Sequence, residues 1–206
     1  MAEVDDDLVF LDSRRDEYSC VARGGAVELK ALLKRGAQVT PTALLAELEA
    51  QDLVRRDPAS PGLITLRRAL PQADYHQLAA GELPIRLQTI AALLAAGAIG
   101  LWTRRLARTR RWLTRSRGAP GGAPTTRIAT LALLFDRLRP WLPRSGSCLA
   151  NSIMLLAFLR RHGIEADWVF GVRTFPFEAH CWVECDGVVL NDAAEHVAWF
   201  TPIAMS

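Results

Sequence analysis

Ser147-Cys148-Leu149-Ala150-Asn151-Ser152-Ile153-Met154-Leu155-Leu156-Ala157-Phe158-Leu159-Arg160-Arg161-His162-Gly163 is the stretch that decides the fold. Gly146 and Ser147 supply a turn and an N-cap, and the apolar positions 149, 153, 156 and 159 predict a buried stripe. Arg160 and Arg161 fall in the last turn before Gly163, as a helix C-terminus favours. Cys148 therefore opens the helix. Unpaired backbone N–H groups and the helix dipole stabilise a thiolate there, and the thiolate is the form that attacks carbonyl carbon.

Working outward, Ala166–Arg173 and Ala179–Cys185 are β-branched and aromatic runs that read as strands, and Asp186-Gly187 turns the chain into Val188-Val189-Leu190-Asn191-Asp192. A Cys on a helix start, then His180 on a strand, then Asp192 on the next strand, is the nucleophile, base and orienting-acid order of cysteine acyl-transfer enzymes, transglutaminases and peptidases among them. Taken singly, a buried Cys is usually a small hydrophobe and a strand His is usually structural. Their joint placement makes Cys148, His180 and Asp192 the candidate site. Strand parity matters for it. A three-residue loop Cys185-Asp186-Gly187 would set His180 directly opposite Asp192, with Gly187 at positive φ, whereas a two-residue loop in a continuous ladder would separate them.

These residues also carry a resemblance. Cys148-Leu149, Gly171-Val172-Arg173-Thr174 with Pro176-Phe177, His180-x-Trp182-Val183-Glu184 and Asn191-Asp192-Ala193 resemble the leader peptidases of lasso-peptide biosynthesis, the B proteins of proteobacterial clusters. The likeness covers residues 145 to about 203, with a looser one at the N-terminus. It implies an α+β protein with a transglutaminase-like, papain-like core and a Cys148-His180-Asp192 triad. It also implies cleavage of a ribosomally made precursor, with an asparagine-synthetase-like macrolactam cyclase as the partner that uses the freed core.

Composition sets the outer limits. In 206 residues, half of them hydrophobic, there is room for one large domain or two small ones with a buried core. The start, Met1-Ala-Glu-Val-Asp-Asp-Asp, lacks the basic and apolar regions of a secretory signal, so a cytoplasmic protein is expected. The cysteines lie at 20, 148, 181 and 185. Cys181 and Cys185 would be about 13 Å apart along one strand, beyond the roughly 7 Å span of a disulfide, and their spacing with His180 is poor for zinc. They read as core thiols. No cofactor is identified in the sequence, and no Gly-rich phosphate loop occurs.

Toward the front, Leu8–Leu11 and Glu17–Ala22 read as a hairpin around Ser13-Arg14-Arg15-Asp16. Gly24-Gly25 precedes a helix at about Ala26–Lys34, and Thr40-Pro41 starts a second helix through Gln51, with Thr40 as its cap. Leu53-Val54 and Leu63–Leu66 could form a wing. Residues 1–68 thus read as a winged-helix-like unit that docks a leader peptide by strand addition. A DNA-binding reading fails because Glu47, Glu49 and Asp52 would face phosphates, so no nucleic-acid partner is expected.

Residues 69–124 read as a helical connector. Ile90–Trp102 is apolar but too short and Ala/Gly-rich to cross a bilayer, so a packed helix is expected. Arg104, Arg108, Arg111 and Arg115 then share one face of a cationic helix, opposite Trp102, Leu106 and Leu113. Solvent, an acidic partner or peripheral contact with an anionic membrane would suit that face. Gly118–Pro124 is a linker by composition, and residues 125–206 are the expected peptidase domain, with Thr126–Leu138 packed on the Cys148 helix and Trp199-Phe200 closing over the sheet.

Overall fold

The computed structural model describes the chain except residues 13, 14, 16, 36–41, 52, 55–69, 82–85, 103–122, 143–145 and 206. Near the N-terminus, β1 (Ala2–Val4), β2 (Asp7–Asp12) and β3 (Glu17–Val21) form an antiparallel sheet in that order. The β2–β3 hairpin is the expected one. β1 joins it through a tight turn in which Asp5 and Asp6 take positive φ (49° and 71°), a conformation Asp tolerates better than most residues. Helix α1 (Arg23–Arg35) starts earlier than expected and takes Gly24 and Gly25 into its first turn. A Cβ on Gly25 would stand 2.9 Å from Val21 Cγ1, so the missing side chain is what lets α1 close on β3. Helix α2 (Ala43–Ala50) is capped by Thr42, whose hydroxyl accepts from the Leu45 N–H, so the cap is Thr42 rather than Thr40. Thr40-Pro41 and the Leu63–Leu66 strand of the expected wing lie outside the described residues, and Leu53-Val54 is not a strand.

The larger sheet has the order β4-β7-β6-β5-β8, with β4 (Ala73–Asp74), β5 (Asp167–Arg173), β6 (Glu178–Cys185), β7 (Val188–Val189) and β8 (Thr201–Met205). One face, carrying Trp168, Phe170, Val172, Cys181 and Val183, packs under helix α6 (Cys148–Arg161). α6 is buried along the whole of Asn151–Leu159, not on one stripe, because helices lie on its outer side too. They are α4 (Leu87–Trp102), through Ala92, Leu93 and Ala96, and α5 (Thr125–Leu138), whose Phe135 ring is 5.5 Å from Phe158. A helix apolar on all sides is a core helix.

Packing crosses the expected boundary at 124/125. β4 pairs in parallel with β7, Tyr75 of the short α3 (Tyr75–Leu78) is buried, and α4 shares one hydrophobic core with α5 and α6. The described part of 69–124 belongs to the same body as the sheet, since neither α6 nor β7 could be covered without it. The Arg-rich stretch and most of the linker fall outside the described residues. Ala2, Val4 and Val9 reach the same core, and the Thr174 hydroxyl donates to Asp5 Oδ2 at 2.5 Å. The other sheet face, Val169, Trp182 and Val189, is covered by Ala194, Val197 and Phe200 from the tail, which forms α7 (Ala194–Val197) before adding β8 at the sheet edge.

Candidate active site

Cys148 is the first residue of α6, and Ser147 caps the helix by accepting from the Ala150 N–H at 3.2 Å. The cap takes one first-turn donor and leaves those of Cys148 and Leu149 without intrahelical acceptors, as at any helix start. One turn on, Ser152 is fully buried and donates its hydroxyl to the Cys181 carbonyl at 3.3 Å. This anchors the helix start against β6. Cys148 is thereby brought beside Cys181 and His180, near enough for both to act on its thiol.

The turn after β6 departs from the expected three-residue loop. Asp186 and Gly187 both take positive φ (51° and 80°), Cys185 pairs with Val188 and Glu184 with Val189, which is a two-residue hairpin with both central residues left-handed. Continued regularly, this register would put Asp192 against Cys181 and away from His180. Instead the ladder stops at Val189. Leu190 N–H still donates to the Val183 carbonyl at 2.8 Å, but the Val183 N–H is taken by the Asn191 side-chain carbonyl at 2.8 Å. Released from the ladder, Asp192 comes round the strand edge to His180, with Oδ2 at 2.5 Å from Nε2. The Gly187 conformation is the one expected; the register is not.

Leaving the edge of β6 open has a second effect. Along that edge the Val183 N–H is satisfied by Asn191 and Cys148 comes up beside Cys181, so side chains stand where a partner strand would. Asn191 Nδ2 also donates to Ser152 Oγ at 2.9 Å, tying β6, the β7 exit and α6 into one network.

The electrostatics follow from these contacts. The thiol of Cys148 is brought down to about 4, chiefly by the Cys181 thiol and then by His180, both of which bond to the thiolate and outweigh partial burial. Cys181, facing that negative sulfur in a dry setting, is pushed up. Burial alone would push His180 down, but its bonds to Asp192 and Cys148 overcome this and hold it up at about 9. Asp192 is kept below its ordinary range despite burial, by bonds from His180, His196 and the Ala193 N–H. With Nε2 on Asp192, Nδ1 is the ring nitrogen left for the sulfur. The arrangement favours a thiolate–imidazolium pair with a carboxylate behind it.

All three candidate residues are thus brought to one place, and Cys185 is left out, its thiol directed to the Glu165 carbonyl. Cys181 is a core thiol as expected, yet it also touches Cys148, which its position next to His180 on a strand beside α6 could have suggested. His196 was not foreseen, although it lies one helical turn beyond Asp192. Among the described residues His180, Asp192 and His196 could offer three donor atoms to a metal. The donors stand 2.5 and 2.9 Å apart, shorter than the edge of about 3.3 Å that tetrahedral zinc requires, so they fit hydrogen bonds better than ligation. No described helix is long and apolar enough to cross a membrane.

The microcin J25-processing protein McjB of Escherichia coli is 50% identical over 46 residues, 22% of this chain and 22% of that protein, so the match spans about a fifth of its length. No solved structure matches the chain significantly. Residues 91–205, more than half of the chain, match the family described as the transglutaminase-like superfamily, taking in most of α4, the helix start at Cys148 and four of the five strands of the larger sheet. The chain belongs to the transglutaminase-like superfamily.

Proposed function

We propose that this protein is a cysteine endopeptidase that removes the leader of a ribosomally made peptide precursor, with Cys148 as nucleophile, His180 as acid–base and Asp192 as orienting acid. The observation that carries the chemistry is a Cys148 at a helix start beside a His180 that is itself bonded to Asp192 at 2.5 Å. The thiolate of Cys148 attacks the scissile carbonyl, and first-turn N–H groups of α6, that of Cys148 included, face the developing oxyanion. His180 then gives its proton to the departing amine, leaving a thioester. Water adds to the thioester, His180 takes its proton, and the carboxylic acid product leaves while Cys148 returns as thiolate.

The substrate class is supported by the partial likeness to a microcin-processing protein and by the N-terminal sheet, whose outer strand β3 could accept an extended peptide as a fourth strand. The freed core amine would pass to an asparagine-synthetase-like cyclase. Incubating the full chain with a precursor peptide and weighing the products tests this reading. Two fragments whose masses sum to precursor plus water, absent with Cys148→Ala, are expected. A product in which an amine replaces water would make the protein an acyltransferase, and cleavage by Cys148→Ala would remove the nucleophile.

A further inference from the structure

His196 engages both oxygens of the Asp192 carboxylate, where His180 engages one. Its Nδ1 lies 3.0 Å from Oδ1 and 2.9 Å from Oδ2, so one N–H spans both carboxylate oxygens. Oδ1 also accepts from the Ala193 N–H at 2.7 Å, and Oδ2 faces His180 Nε2. The ring is set edge-on against Phe200 (centroids 5.4 Å, 89°) and Trp199 (5.5 Å, 80°), and its centroid is 5.1 Å from that of His180.

The need for such a clamp comes from the departure of the chain from the ladder. Asp192 lies beyond β7, where no strand pairing fixes its backbone, and a carboxylate on a single Ala193 N–H could rotate about its own bond to the chain. We infer that His196 is a positioning residue, which holds the plane of the Asp192 carboxylate and so keeps Oδ2 on His180. The charged and titratable groups around the clamp are few. His180 comes from β6, Cys148 from α6, and Arg173 from β5, where its guanidinium stands over Trp199 and Phe200 and pairs with Glu178. Asp74, before α3, accepts from the Ala194 N–H.

This inference rests on the Cys148–His180 pairing but not on the identity of the substrate, so its test uses none. The rate of Cys148 alkylation by iodoacetamide in the full chain, followed by peptide mass mapping against pH, reads the span over which thiolate and imidazolium coexist. Loss of one hydrogen bond to a charged, partly exposed group should narrow that span by about one pH unit, about a tenfold weakening of the pair. His196→Ala should show this narrowing. His196→Asn, which can return an N–H to the carboxylate, should restore most of the span, and His196→Phe, which keeps the ring packing without the donor, should behave as Ala does. An unchanged span in a folded His196→Ala protein, or restoration by Phe as well as by Asn, would overturn the inference. Slow alkylation of Cys148 in the unaltered chain at every pH would overturn it together with the nucleophile assignment, whereas failure to cut a precursor would touch only the substrate reading.

Discussion

Gly171→Ala is the change that bears hardest on the site without touching a residue that does chemistry. Gly171 pairs with His180 across the β5–β6 ladder, and a Cβ there would stand 2.7 Å from both Cη2 and Cζ3 of Trp182 and 2.8 Å from Phe200 Cβ. Neither neighbour can give way. Trp182 is 1% exposed with its indole N–H on the buried Glu184 carboxylate at 2.5 Å, and Phe200 is 2% exposed at the start of the run into β8. Both rings also flank His180, with centroids at 5.9 and 5.1 Å. Forcing one methyl into such a place costs typically 1 to 3 kcal/mol, and blocked relaxation argues for the upper end, about 3 kcal/mol. In a chain of this size that lowers Tm by about 6 to 12 °C. Urea and thermal unfolding followed by circular dichroism measure it, and Cys148 alkylation well below Tm measures the site. Gly24→Ala is the control, since nothing lies within 4 Å of its would-be Cβ. Should Gly171→Ala unfold within about 0.5 kcal/mol of the unaltered chain, the close packing behind His180 is wrong.

Four further outcomes are expected. Asn191→Ala removes the acceptor of the Val183 N–H and a donor to Ser152 Oγ at once, so it should destabilise by about 1 to 3 kcal/mol and slow turnover, whereas retention of both would mean the strand edge is held by something else. Activity against pH should rise as the Cys148 thiolate forms at about 4 and fall as the His180 imidazolium loses its proton at about 9; a single limb near neutrality would contradict the ion pair. Cys181→Ala removes the thiol that stabilises the Cys148 thiolate most, so the acid limb should move to higher pH, while Cys181→Ser keeps a donor and should remain active with a smaller displacement. Cys185→Ser should cleave at the ordinary rate, since its thiol faces Glu165 and Asp186, outside the site.

What could be read in the sequence was whatever local chemistry decides. Ser147 caps α6 because its hydroxyl reaches an N–H three residues on, and Cys148 follows at the helix start as a matter of spacing. Gly187 takes positive φ because the tight turn requires it. The long strands β5 and β6 came from their β-branched and aromatic runs. What sequence reasoning lost was decided at longer range. The run into Asp192 reads as a strand by composition, but β7 stops at Val189 because the Asn191 amide outcompetes the next backbone carbonyl for the Val183 N–H, and that choice depends on Ser152 being present on another element. In an unbroken ladder strand parity would require a three-residue loop to bring Asp192 to His180; because the ladder breaks, a two-residue loop delivers the same contact. The same break explains the rest of the site. Had β7 run on beside β6 in the same register, its backbone would lie against Cys181, where Cys148 comes up, and the helix start could not approach. A short β7 is therefore a condition for the Cys148–His180 pair, and Asn191 sets that length.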